Sequence, residues 1–152
     1  MPLRLWRTVT DAYPIWSGEG ARLYGQRWNP VGLLAIYAGT SFAISLLEVL
    51  VRANRKSPPS GTRFVEAEVP DDVSRERFDP QSGPGWDNRS DKSIAQAFGR
   101  DWITSRRSAL LIVPSVVTRL DDNVVVNPDH PDAALISVGP ETPVALDPRL
   151  FG

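Results

Sequence analysis

Short apolar runs alternate with breaks marked by proline and glycine, and the period of each run predicts its element. Residues 3–8 form a first strand candidate, and residues 13–25, with Pro14, Gly18, Gly20 and Gly25, are turn-rich. Residues 33–38 are a continuous apolar run closed by Gly39, the pattern of a buried strand. Thr40 or Ser41 can then cap a helix that runs to about Ala53. Phe42, Ile44, Leu46, Leu47, Val49, Leu50 and Val51 spread over most of that helix, so it is expected to be buried on more than one side.

The Ser-Pro-Pro-Ser-Gly stretch at residues 57–61 breaks the chain. Beyond it, Val65, Ala67 and Val69 alternate with Glu66 and Glu68, which predicts a half-exposed strand over residues 63–69. Residues 80–86 read as a loop. Ile94, Ala97, Phe98 and Trp102 are spaced as one face of a second helix, from residue 91 to about 106. Three short β-rich runs follow, at residues 109–113, 123–126 and 134–138. Many strands, two real helices and no alternating βαβ rhythm predict an α+β fold around a mainly antiparallel sheet. A length of 152 residues fits a single domain over 1–152.

Composition narrows the class. Proline, 14 of 152 residues, is well above its usual share of roughly 5% and excludes a helical bundle, because it interrupts helices and central strands. Seventeen basic and 18 acidic residues nearly cancel, so direct nucleic-acid binding, which needs clustered cations, has no support. With no cysteine and one histidine, disulfides, thiolate zinc sites and histidine clusters are excluded, and no metal is expected. No apolar run approaches the ~20 residues of a membrane span, and the amino terminus lacks a signal-peptide core, so a cytoplasmic location is expected.

Familiar catalytic signatures are missing. Gly18, Gly20 and Gly25 do not form a dinucleotide-binding fingerprint, and there is no P-loop. Ser115 lacks the nucleophile-elbow context, although His130 with Asp129 or Asp132 leaves a serine triad formally open. What stands out is polar residues in apolar surroundings. Glu48 sits between Leu47 and Val49 and needs a partner or neutralisation; an i,i+4 pair with Arg52 on the solvent side would account for it equally well. Arg27 precedes Trp28 and the Asn29-Pro30 turn, where a guanidinium suits phosphate or carboxylate, or simply covers the ring. Tyr37 lies in an apolar strand and needs a hydroxyl partner if buried. Ser115, after a proline, and Asn127, before one, are in isolation ordinary turn residues.

Taken together, several segments resemble the RES domain, a bacterial toxin family named after arginine, glutamate and serine positions. They are Leu5-Trp6-Arg7, Gly25-Gln26-Arg27-Trp28-Asn29-Pro30-Val31-Gly32, Ala35-Ile36-Tyr37-Ala38, Ser45-Leu46-Leu47-Glu48-Val49-Leu50, Leu111-Ile112-Val113-Pro114-Ser115-Val116-Val117, Asn127-Pro128-Asp129-His130-Pro131 and the closing Asp147-Pro148-Arg149-Leu150-Phe151. Gln26 stands where many members have glycine, a departure expected to leave the chemistry unchanged. The resemblance implies a fold like that of ADP-ribosyltransferases. It also implies an enzyme that consumes NAD+ as a substrate, by hydrolysis, by phosphorolysis or by transfer of ADP-ribose to a target protein.

An Xre-like helix-turn-helix antitoxin that covers the active site is the implied partner, with no membrane role. In that reading Glu48 stabilises the oxocarbenium-like transition state, Arg27 and Arg7 bind the pyrophosphate, and Tyr37 contacts the nicotinamide side. Ser115 orients Glu48 or the ribose, and Asn127 is a supporting contact. The alternative is a non-catalytic module that binds a nucleotide or a partner, using Trp86 and Phe78 as apolar surface. Pro30, Pro114 and Pro128 lie beside Arg27, Ser115 and Asn127, where stiff backbone would preorganise a site.

Overall fold

Short strands need many partners to enclose a core, and the sheet here is correspondingly broad. The computed structural model describes residues 2–53 and 60–151. In chain order these form β1 (Leu3–Val9), α1 (Glu19–Tyr24), β2 (Ile36–Gly39), α2 (Phe42–Ala53), β3 (Arg63–Val69), β4 (Arg75–Arg77), α3 (Ser93–Ser105), β5 (Leu110–Pro114), β6 (Asp122–Val126), β7 (Ser137–Val138) and β8 (Thr142–Pro143). Three single 3-10 turns lie at Pro80–Ser82, Pro131–Leu135 and Pro148–Phe151. The strands form one sheet in the order β4-β5-β6-β2-β1-β3-β7, with β8 also on β3. Only β4 and β5 run parallel, so the expected α+β architecture on a mainly antiparallel sheet is present.

Alternation decides which side each strand buries. β1 and β3 pair from Leu3↔Val69 to Val9↔Arg63, which sets Leu5 against Ala67 in the core and turns Glu66 and Glu68 outward. β5 and β6 are apolar on both faces, as central strands covered on both sides must be. Leu110, Val124 and Val126 join Leu5, Ile36 and Val69 in one cluster. Leu111, Val113 and Val125 join Trp28, Phe78, Trp86 and Trp102 in a second, beneath α3, and Val9, Ile15 and Val65 form a third, smaller one.

Several expectations change. The turn-rich segment contains the short helix α1, which buries only Ala21. β2 starts only at Ile36, and the carbonyl of Leu33 accepts from the Asn29 side chain. Ser41, not Thr40, caps α2, its hydroxyl accepting from the amide of Ile44. That helix is buried on one side only: Ile44 and Ser45 face the core while Leu47 and Val51 are exposed. The buried stripe of α3 is Ala95, Gly99, Trp102 and Ile103, so Ile94 and Ala97 face outward. Gly99 sets this phase, since a Cβ there would lie 1.6 Å from the carbonyl oxygen of Trp28.

β4, sequence Arg-Glu-Arg, has no apolar signal; its backbone joins it to β5. The run at residues 134–138 is a 3-10 turn followed by the two-residue β7. The Ser-Pro-Pro break falls at residues 57–59, outside the described residues. Phe78 and Trp86 are 2% and 7% exposed, packed with Trp28 and Phe98 ring against ring. The apolar surface expected of them is absent.

Candidate active site

The stripe of α2 that buries Ile44 carries Glu48 one turn on and Arg52 a further turn on, so the helix passes from core to cleft. That cleft has a volume of about 570 Å³ and is lined by Arg27, Tyr37, Glu48 and Asn123, with Val51, Val116 and Val117 as apolar wall. Arg52, Arg89 and Lys92 also border it. Among the described residues these three make no side-chain hydrogen bond or ion pair, and Glu48 is the single carboxylate of the lining. The i,i+4 pair with Arg52, one of the two accounts open for Glu48, is therefore not formed; both residues face the same cleft.

Glu48 is held from two neighbouring strands. Its Oε1 accepts from the Ser115 hydroxyl at 2.9 Å and from Nδ2 of Asn123 at 2.8 Å. Ser115 follows directly on β5, and its Oγ also accepts from the amides of Val117 and Thr118 at 3.1 and 3.2 Å. It caps a turn and orients the carboxylate with the same atom. Its hydroxyl is thus fully committed.

The loop carrying Arg27 is stitched together by Tyr37 and Asn29. Tyr37 Oη accepts from the amide of Trp28 at 2.9 Å and donates to Oδ1 of Asn29 at 2.7 Å. Asn29 in turn donates to the carbonyls of Ala21, Pro30 and Leu33. Burial pushes the Tyr37 phenol well above its ordinary 10.0, so it is a neutral hydrogen-bonding group at physiological pH. Arg27 Nη1 donates to the carbonyls of Trp86 and Asn88 at 2.8 and 3.1 Å. Burial lowers the Arg27 pKa while Asp87 and Glu48 oppose the shift. Between those two carbonyls, Asp87 pairs with Arg119, which has the left-handed φ of 69°. Together these contacts tie the loop after Trp86 to both Arg27 and the turn after Ser115.

Four expected site residues thus come together: Arg27, Tyr37 and Glu48 on the cleft, Ser115 behind Glu48. Arg7 and Asn127 do not join them. Arg7 donates to the carbonyls of Ile15 and Tyr37 at 2.5 and 2.8 Å. Burial pushes its guanidinium down to about 10, which leaves it charged at neutral pH as a brace between backbone segments. Asn127 is fully buried, donates to the Ile103 carbonyl and accepts from the Asp129 amide.

The register Leu110↔Val126 and Pro114↔Asp122 puts Asn127 and Ser115 at opposite ends of the β5–β6 pair. At about 3.3 Å per residue the separation is on the order of 20 Å. His130 lies beyond Asn127, with its Nδ1 accepting from the Asp132 amide, so the serine triad is not assembled. Among the described residues, no group of three His, Cys, Asp or Glu is placed to hold a metal ion.

Asn123, Arg89, Lys92 and Gln26 line the cleft without having been singled out for it. Asn123 carried a readable signal, a polar residue directly before the three valines of β6. Arg89 and Lys92 sit in a segment with no periodic pattern. The Gln26 Oε1 is buried without a hydrogen-bond partner among the described residues.

The RES domain family model matches residues 4–147. A relative named Prs ADP-ribosylating toxin, from a Sphingobium species, is 40% identical over 99% of this chain and 98% of its own length. Proteins named Toxin Res from Yersinia enterocolitica and Pseudomonas putida are 33% and 34% identical, each over 97% of this chain and 99% of their own. In fold, the chain is similar to one from the crystal structure of the M. tuberculosis MbcT-MbcA toxin-antitoxin complex, with a TM-score of 0.77, 23% identity and coverage of 99% of this chain and 87% of that one. A family match over almost the whole chain, joined to full-length relatives above 30% identity, places this protein in the RES domain family.

Proposed function

We propose that this chain is the toxin of a toxin–antitoxin pair and that it cleaves the nicotinamide–ribose bond of NAD+. The observation that carries the reading is a single carboxylate, oriented by two donors, in a cleft whose other charged lining residues are all cations. Breaking the C1′–N bond sends the electron pair to nicotinamide and leaves oxocarbenium character on the ribose, which a fixed anion stabilises more in the transition state than in the ground state. Glu48 fills that role. Arg27, with Arg52, Arg89 and Lys92 nearby, suits the two phosphates. NAD+ is consumed as substrate, and no hydride transfer is involved.

The second bond, from C1′ to an acceptor, goes to water, phosphate or a protein side chain. The name of the Sphingobium relative, an ADP-ribosylating toxin, favours ADP-ribose transfer to a protein. The toxin names of the other relatives and the toxin–antitoxin neighbour in fold support an antitoxin partner. Val51 and Val117, exposed and lining the cleft, are a suitable apolar seat for it. No helix among the described residues is long and apolar enough to cross a membrane, and the reading places the toxin in the cytoplasm beside its NAD+ pool.

The test is nicotinamide release from NAD+ by the purified chain, freed from any antitoxin, beside the Glu48→Gln variant. Release by the wild type that the variant lacks is the expected result; no release, or equal release by both, overturns the reading. A purely nucleotide- or partner-binding module has lost one of its supports, because Trp86 and Phe78 are core residues.

A further inference from the structure

We propose that Asn123 is a positioning residue for Glu48. With Ser115 it occupies Oε1, so that Oε2 alone is presented to the reacting ribose. The inference rests on the NAD+ reading above but concerns a residue that neither the family pattern nor the sequence pattern assigns.

Three features carry it. Both donors converge on the same carboxylate oxygen, Ser115 at 2.9 Å and Asn123 at 2.8 Å, and Oε2 accepts no hydrogen bond among the described residues. The carboxylate is therefore asymmetric, one oxygen anchored and one available. Second, the Asn123 backbone is already placed by the β6 ladder, opposite Gly39 on β2 and Val113 on β5. Asparagine is a poor strand former, and the rest of β6 after it is valine, so the amide side chain offers the strand itself little. Third, the Asn123 donor is neutral. A lysine or arginine would hold Glu48 equally well but would cancel the charge that has to face the oxocarbenium. An amide fixes the carboxylate and leaves its charge in place.

Ser115 cannot replace this contact. Its one hydroxyl proton is spent on Glu48, and its lone pairs are taken by the amides of Val117 and Thr118. Without Asn123 the Glu48 carboxylate keeps one anchor and can rotate about it.

Asn123→Ala and Asn123→Asp test the assignment, with folding checked by thermal melting. Asn123→Ala is expected to lower kcat for nicotinamide release on the order of 100-fold, the cost of a misplaced catalytic group, while KM for NAD+ moves by less than about threefold. Asn123→Asp should be equally impaired at neutral pH and regain turnover as the pH falls, because a protonated carboxyl can again donate to Glu48. A structural role would not produce that recovery. Unchanged kcat in Asn123→Ala, or no low-pH recovery in Asn123→Asp, overturns the proposal while leaving NAD+ cleavage intact.

A readout independent of turnover is the 13C resonance of the Glu48 carboxylate, assigned by its loss in Glu48→Gln. It should move in Asn123→Ala. A resonance unchanged in that variant rejects the positioning role even if the wild type cleaves no NAD+.

Discussion

Ser115 donates to Glu48 across 67 residues of chain, from the end of β5 to the middle of α2, at 2.9 Å. Because the same oxygen also accepts two amides of the following turn, Ser115→Ala removes an anchor of the carboxylate and a turn cap together. Nicotinamide release should fall by about tenfold or more, and stability by about 1–2 kcal/mol. Steady-state rates beside denaturant melts separate the two effects. Full activity in this variant would show that the hydroxyl does not orient Glu48.

Tyr37→Phe leaves Oδ1 of Asn29 without its donor and the Trp28 amide without its acceptor. A loss of about 1–3 kcal/mol is expected, the penalty for buried polar groups without partners. Since burial raises the phenol above its ordinary 10.0, its contribution is complete below that pH and is lost as pH rises through the elevated folded value. Melting temperatures above pH 10 should therefore decline more steeply for the wild type than for the variant, with parallel curves below it, and curves that stay parallel above pH 10 would contradict the assignment.

Arg27→Lys keeps the charge and loses the fork. Both the Trp86 and Asn88 carbonyls accept from Nη1, which leaves the rest of the fork for phosphate; a lysine whose one nitrogen takes those carbonyls has no second nitrogen to offer. KM for NAD+ should rise by about tenfold, roughly the worth of one charge-assisted contact. A KM equal to that of the wild type would remove Arg27 from substrate binding.

Gly99→Ala puts a Cβ 1.6 Å from the Trp28 carbonyl oxygen and 2.6 Å from its carbon. Backbone cannot yield as a side-chain tip can, so α3 must retreat from the loop that carries Arg27. A destabilisation of about 3 kcal/mol is expected, typical of severe overpacking, with weaker NAD+ binding at temperatures where the variant remains folded. Denaturation midpoints and calorimetry supply both readouts. A wild-type midpoint would mean that the helix and the loop are not in this close contact.

Periodicity is a local property, and where it governed the structure the sequence was readable. β1, β3, β5 and β6 alternate or run apolar as their burial requires, and α2 and α3 begin and end within a few residues of where their caps and spacing put them. β4 was illegible because Arg75, Glu76 and Arg77 carry no apolar side chain and pair with β5 through backbone. The phase of α3 was misread because Gly99, which contributes no hydrophobic signal, marks the face of closest approach.

The site divides in the same way. Arg27, Tyr37, Glu48 and Ser115 were recognisable as residue types in a known order along the chain. Arg7 and Asn127 belonged to that order too, yet their side chains bind backbone carbonyls away from the cleft. Nothing local distinguishes an arginine that meets a substrate from one that braces a strand. Asn123 reaches Glu48 across 75 residues only because the order β5-β6-β2 sets its strand beside the element that leads into α2. Which residues the chain owns, and which segments can bury them, follow from composition and period. Which side chains meet follows from strand order and register, and these are set by burying the whole sheet at once.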